Sequence, residues 1–253
     1  MLAQDLNLQA DLLSGLGEAL FQQSRYEEAI QVWQEAIRKY RVLGNSDRSA
    51  RLYARSARAA WFLYTPRGLR LCQEGVEAVG GAQESSGLAM LVHEAARAYY
   101  FNGFPEQASQ FCRQALAISR RLEDVEVRAD ALTTLGILQD TPPEEALMAL
   151  QQAIELAETH GLLSVATRAS LNLGTMTQMI RGDMHAARQH FLHAAELSRQ
   201  RGSVQEEFLA MIALAEASLY LGEFQDVKRV LKTCEGMLKS LPDPQAARLE
   251  LNS

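Results

Sequence analysis

Much of what this sequence excludes follows from what it has little of. Its 253 residues contain no run of 18 or more apolar residues, so hydropathy offers no membrane-spanning helix. The opening stretch, Met1 to Leu12, has acidic residues but no Lys or Arg, and so lacks the basic start of a secretory signal. Three cysteines, Cys72, Cys112 and Cys234, are too few and too scattered for a disulfide framework or a zinc pattern, which points to a reducing, cytoplasmic setting. Alternating β-branched runs of the kind that build sheets are missing. The net charge of −6 disfavours nucleic acid as a direct partner. Proline is scarce, at six residues. Together with glycine it falls at intervals that cut the chain into helix-sized pieces, as at Gly44-Asn45, Gly103-Phe104-Pro105, Thr141-Pro142-Pro143, Gly182-Asp183 and Pro242-Asp243-Pro244.

Between the breakers stand Ala, Leu, Glu, Gln and Arg, strong helix formers, with apolar residues at i, i+3, i+4 and i+7. The pieces also repeat. Tyr26-Glu-Glu-Ala29 leads to Trp33 and Ala36, Pro105-Glu-Gln-Ala108 to Cys112 and Ala115, and Pro143-Glu-Glu-Ala146 to Leu150 and Ala153. Met184-His-Ala-Ala187 leads to Phe191 and Ala194 in the same way. Small or mid-sized anchors thus recur at 29, 68, 108, 146, 187 and 227, a period of about 40 residues. One helix upstream lie Leu16-Gly17, Leu135-Gly136 and Leu173-Gly174, with Ser56-Ala57, Ala95-Ala96 and Leu214-Ala215 as equivalents. Antiparallel helices approach closely only where one offers Gly or Ala and the other a larger side chain to fill the gap. A single hairpin cannot bury its apolar face, so such copies stack into a solenoid.

Leu16, Gly17, Tyr26, Ala29, Trp33 and Ala36, then Gly182, Asp183, Ala187, Phe191 and Ala194, and again Gly222 and Phe224, resemble the tetratricopeptide (TPR) repeat. The period is longer than the usual 34 residues, and in this the chain resembles the MalT-like TPR domains found in bacterial transcription regulators and signal-transduction ATPases. HEAT or armadillo repeats share the period but not the Gly/Ala pattern. The resemblance implies an all-α, right-handed α-solenoid of about six hairpins, read here as one domain over 1–253. Its repeats would fall at about 3–44, 45–81, 84–122, 124–161, 162–202 and 203–240, with 243–253 starting a further or capping helix. Three departures predict local kinks: Leu135-Gly136 lies two residues too close to Ala146, Leu173-Gly174 one residue too far from Ala187, and Tyr64-Thr65-Pro66 stands where Gly-Asp belongs.

Catalytic patterns are missing: there is no GxxxxGK[ST] loop and no GxSxG elbow. His93-Glu94 is followed by Arg97 where a zincin has its second His. His185, His190 and His193 cluster on one helix with no carboxylate or Cys at ligand spacing in the sequence, so they read as surface histidines and not as a metal site. Paired acids such as Glu27-Glu28 and Glu144-Glu145 open helices, where the macrodipole favours them. The expectation is therefore a non-enzyme with no cofactor and no metal. An enzyme with an unrecognised site, using the three histidines, is the contrasting class.

In TPR solenoids the first helix of each pair lines the concave side. In this register that face carries Asp11, Ser14 and Glu18, then Arg51, Arg55, Arg58 and Trp61, then His93, Arg97, Tyr100 and Phe101, then Asp130 and Thr133. Ala57-Arg58-Ala59-Ala60-Trp61-Phe62 and Ala96-Arg97-Ala98-Tyr99-Tyr100-Phe101 are one element repeated 39 residues on. Arg51, Arg55, Arg58, Trp61, His93, Arg97, Tyr100 and Phe101 form the candidate ligand-binding set, suited to a protein or an acidic peptide. The competing reading is an internal lattice in which Glu18 meets Arg58 and Asp130 meets Arg97. The Lys/Asn carboxylate clamp of chaperone-binding TPR proteins is not matched. The functional expectation is a binding module, the sensor or scaffold of a longer bacterial signalling ATPase or transcription regulator with adjacent domains; a stand-alone peptide-pheromone or small-inducer receptor is the alternative.

Overall fold

A computed structural model describes residues 2–63, 67–79 and 81–238. Among them are twelve α-helices and no strand: α1 (Leu2–Gln22), α2 (Tyr26–Val42), α3 (Ser46–Phe62), α4 (Arg67–Val79), α5 (Ser86–Phe101), α6 (Pro105–Arg121), α7 (Val125–Leu135), α8 (Pro143–Thr159), α9 (Leu163–Arg181), α10 (Met184–Arg201), α11 (Val204–Tyr220) and α12 (Phe224–Met237). The helices form TPR-like antiparallel hairpins of the all-α solenoid class. They divide into two compact units, 1–134 and 135–253. The segments expected to kink at Tyr64-Thr65-Pro66 and to cap the stack at 243–253 lie outside the described residues.

The helix boundaries have local causes. The Asn45 side chain accepts from the Arg48 amide at the start of α3, and Asp183 accepts from the Ala186 amide at the start of α10. Pro105 and Pro143 open α6 and α8, where a missing N–H costs nothing. Gly182, at φ +65°, turns the chain off α9 in the left-handed region that glycine enters without strain.

The packing code is the one the repeats predict. In the first unit Gly17 faces Trp33, and a Cβ at Gly17 would fall 2.3 Å from the indole Nε1. In the second unit Gly136 faces Leu150 and Gly174 faces Phe191, with equally prohibitive contacts. Trp33, Leu150 and Phe191 are all buried, as are the anchors Ala29, Ala108, Ala146 and Ala187 and the three cysteines. Burial pushes the Cys72 thiol far up and the Cys234 thiol to about 11, so both stay protonated at neutral pH.

One element departs from its repeat. Leu135-Gly136 was expected inside a first helix, as Leu16-Gly17 is, yet α7 ends at Leu135. Only six residues separate Gly136 from the Pro143 that must open α8, and Pro142 biases Thr141 away from helical backbone. The helix has no room for its last turn.

Candidate functional site

The first helices α1, α3 and α5 of the first unit carry the candidate residues. α3 and α5 are held very close at their N-terminal ends. The Gly87 amide donates to Asp47 Oδ1 at 2.7 Å, and a Cβ at Gly87 would lie 2.1 Å from the Asp47 carbonyl oxygen, so only glycine fits there. This contact fixes which turn of α3 lies beside which turn of α5.

At the far end of that alignment sits a buried ionic group. Glu94 is 4% exposed and accepts from Arg58 Nε at 2.9 Å and from Arg97 Nη1 at 2.9 Å. Arg58 also donates to Asp130 of α7 at 3.1 Å. Burial alone would raise the Glu94 carboxyl, but the Arg58 and Arg97 guanidinium charges outweigh it and hold it down to about 2. Burial would also lower the Arg58 pKa, yet Glu94 and Asp130 drive it upward. His93 is buried behind them, its Nε2 2.9 Å from Thr134 Oγ1. Burial dominates there, against Asp130 and Glu94, and pushes the imidazole down to about 4, so it is neutral at pH 7.

These contacts correct several expectations. Arg58 and Arg97 are bound to internal carboxylates, not free for a ligand. The lattice reading holds in kind but with other partners: Glu18 meets Arg55, Asp130 meets Arg58, and Glu94 serves both Arg58 and Arg97. The cause is a one-turn slip. Equivalent residues lie about 40 apart, but these ion pairs join residues 36 or 37 apart, as in Glu18–Arg55 and Arg58–Glu94, while His93 and Thr134, 41 apart, keep close to the repeat spacing. His93 does not line an open face, being 1% exposed.

Other candidates do stand at the surface. Trp61 is 43% and Phe101 52% exposed, with ring centroids 5.9 Å apart, and the Arg97 guanidinium lies 5.8 Å from the Trp61 ring centre. Tyr100 packs edge-on against Phe101 at 5.2 Å. Behind Trp61, Phe62 stacks on Tyr26, and Phe21 completes the cluster. Arg55 and Arg51 extend along α3 toward its N-terminus, both partly exposed.

Glu94, Arg48 and Tyr40 complete this face and are not among the residues the sequence reading placed on it. Glu94 looked like half of a failed zinc motif. Arg48 pairs with Asp11 and also donates to the Tyr40 hydroxyl at 2.9 Å. The signal was present in the matching spacings 11, 14, 18 on α1 and 48, 51, 55 on α3. In the second unit His193 Nε2 lies 2.6 Å from Glu158 Oε1, so a carboxylate does accompany that histidine; it comes from α8, out of reach of a local reading of α10. No three His, Cys, Asp or Glu groups among the described residues are placed to hold a metal ion. No helix among them is long and apolar enough to cross a membrane.

Comparison with known proteins agrees with this architecture. A tetratricopeptide repeat model matches residues 10–41, and the model for soluble NSF attachment protein, SNAP, matches residues 76–232. No curated protein matches the sequence. Among solved structures, BtubC (BKLC) from P. vanneervenii superposes with a TM-score of 0.67 at 16% identity, over 87% of this chain and 95% of that one. A Rap protein complexed with competence and sporulation factor gives 0.62 at 14% identity, over 94% and 77%. A signal transduction ATPase with numerous domains (STAND) protein with a tetratricopeptide repeat sensor, from Pyrococcus horikoshii, gives 0.63 at 14% identity, over 97% of this chain but 38% of that one. At these identities the structures establish the fold, while the family follows from a match over more than half of the sequence: the chain belongs to the soluble NSF attachment protein family, within the TPR superfamily.

Proposed function

We propose that the chain is a non-catalytic binding module that holds a protein or acidic peptide segment against the α1/α3/α5 face of its first unit. The observation that carries this reading is the exposed Trp61–Phe101 pair, continued by Tyr100 and flanked by Arg55 and Arg51. Rigid aromatic area beside guanidinium groups is the composition of a recognition hot spot, and arginine matches carboxylates two-pronged. In this account Arg58, Arg97 and His93 position that surface from behind, Arg55 borders it while paired with Glu18, and Arg51, Trp61, Tyr100 and Phe101 meet the ligand.

The wider role we propose is the sensor or scaffold part of a larger cytoplasmic bacterial signalling ATPase or transcription regulator of MalT-like type, read as a single repeat domain. The STAND neighbour, whose repeats form a sensor within a much longer chain, supports it. A stand-alone peptide receptor is the second reading. It is favoured by the Rap neighbour, matched over 77% of its length and solved in complex with competence and sporulation factor.

The two tryptophans supply the test, because Trp33 is buried and Trp61 is exposed. Acidic peptides carrying one large apolar residue, presented as an array, should be retained over neutral counterparts, and the best binder should change Trp61 fluorescence. Trp61→Ala with Phe101→Ala should weaken that binder at least about tenfold, the equivalent of one hot-spot contact. Undiminished binding by the double variant would place recognition elsewhere.

A further inference from the structure

Along the α1/α3 boundary, ion pairs alternate with a gap. Asp11 meets Arg48, and one turn and a further turn on, Glu18 meets Arg55. Between them, at the same spacing, α1 offers Ser14 opposite Arg51. Arg51 therefore lacks the cross-helix carboxylate that both neighbouring arginines have. Its nearest carboxylate among the described residues is Asp47 of its own helix, at 3.9 Å, too far for a hydrogen bond. Asp47 already spends Oδ1 on the Gly87 amide.

At this rung the surface opens into a cavity of about 350 Å³ lined by Ser14, Tyr40, Asp47, Arg48, Arg51 and Leu52. Its floor is built. Leu52 is buried, and Tyr40 is 1% exposed with its hydroxyl fixed between Asp11 at 2.5 Å and Arg48 at 2.9 Å. The notch thus presents a two-pronged guanidinium and a serine hydroxyl at the one place where the ladder has a cation without a partner helix carboxylate.

We infer that this notch is an acidic-residue subsite: it takes the side-chain carboxylate of a Glu or Asp in a bound peptide, which supplies from outside the anion that α1 supplies at Asp11 and Glu18. Arg51 donates to both carboxylate oxygens and Ser14 Oγ donates to one of them. Asp11, already paired with Arg48 and Tyr40, adds little repulsion; Asp47 Oδ2, 3.9 Å from Arg51, is the nearest opposing charge, and it selects for a single carboxylate over a doubly charged phosphate. The inference deepens the reading of this face as a binding surface and rests on it.

The probe is a capped hexaglutamate peptide titrated into the isotope-labelled full chain at low salt, following the arginine Nε–Hε and backbone resonances by NMR. The Arg51 resonance should shift saturably with hexaglutamate and stay in place with capped hexaglutamine. Arg51→Gln should weaken the peptide at least about tenfold, as should Ser14→Glu, which installs the missing carboxylate in the chain itself. Arg51 is exposed enough that its substitution leaves the fold intact, so the test stands even where Ser14→Glu disturbs α1. An Arg51 signal that does not move, unchanged affinity in Arg51→Gln, or binding only by hexaglutamine with a free C-terminus would each overturn the subsite. Hexaglutamate binding that survives Arg51→Gln but is lost in Trp61→Ala/Phe101→Ala would overturn the subsite while leaving the broader binding reading in place. Loss in Arg51→Gln with retention in the aromatic variant supports the subsite and counts against the aromatic anchor.

Discussion

The two units follow one packing code and use it for different ends. In both, a glycine on one helix admits a large side chain from the next: Gly17 with Trp33 in the first, Gly174 with Phe191 in the second. Their polar interiors differ. Among the described residues every buried ionisable acid or imidazole, His93, Glu94 and Asp130, belongs to the first unit. The fully buried polar residues of the second are hydroxyls, such as Thr167, Ser170, Thr177 and Ser198, and its main ionic group, Arg188 with Glu223 and Asp226, is only partly buried. Its core is apolar, built around Phe191, Phe208, Leu214 and Val230 in one cluster and Leu147, Leu150 and Leu173 in another. All the aromatic ring pairs found among the described residues also lie in the first unit, several reaching the surface at Trp61 and Phe101. The lesson is that a stack needs only small and large apolar residues to hold. The first unit lays a buried ionic group of Arg58, Glu94, Arg97 and Asp130 over a core of the same kind.

The largest effect that would break this contrast is at Glu94. Glu94→Gln removes the anion shared by Arg58 and Arg97 and leaves two poorly solvated cations, at a cost of about 3–5 kcal/mol. Urea unfolding reads it, and a loss below about 1 kcal/mol would show that the ionic group is peripheral.

Acid should act on the first unit next. His93 sits at about 4 against an ordinary 6.5, so the unfolded chain takes up a proton between those values that the folded chain refuses. Its stability is full above pH 6.5 and falls as pH drops toward 4, by on the order of 3 kcal/mol. Glu94, held at about 2 against 4.5, adds a loss in the same direction as pH falls below 4.5. Hydrogen exchange at pH 7 and pH 5 should show α3 and α5 losing protection faster than α9 and α10, and His93→Gln should flatten that difference. Equal loss in both units would contradict it.

Packing should be equally strict in the two units. Ala108→Leu and Ala187→Leu each force a side chain into a fully buried helix crossing and should cost about 1–3 kcal/mol apiece by thermal or urea unfolding. A tolerated substitution in one unit alone would mean that the shared code is looser there. The smallest effect belongs to Glu144→Gln, which removes the exposed Arg181 pair of the second unit and should change stability by less than about 1 kcal/mol. A larger loss in the same urea assay would give this exposed pair a weight its exposure does not explain.

The hairpins, their period and the buried anchors were legible because each depends on local spacing and on residue size. Gly17, Ala29 and Trp33 announce a helix crossing wherever they occur in that order. The partners of the arginines were not legible, because they depend on how far one helix slides along the next. A slip of one turn sends Glu18 to Arg55 in place of Arg58, and no single repeat records it. Glu94 was hidden for the same reason, as was Glu158, which reaches His193 from another hairpin. The early end of α7 could be read from the prolines, once the distance from Gly136 to Pro143 is counted.

The most direct test of the account is the melting temperature of Arg58→Ala beside that of Arg51→Ala. The two arginines share α3, and the structure assigns one to the internal ionic group and leaves the other without a cross-helix carboxylate. Arg58→Ala should remove the guanidinium that Glu94 and Asp130 share and lower the melting temperature by roughly 6 °C or more, from about 3 kcal/mol of lost stability. Arg51→Ala should leave it within about 2 °C. Equal shifts for the two variants, or a larger one for Arg51→Ala, would contradict the division of this face into a closed lattice and an open subsite.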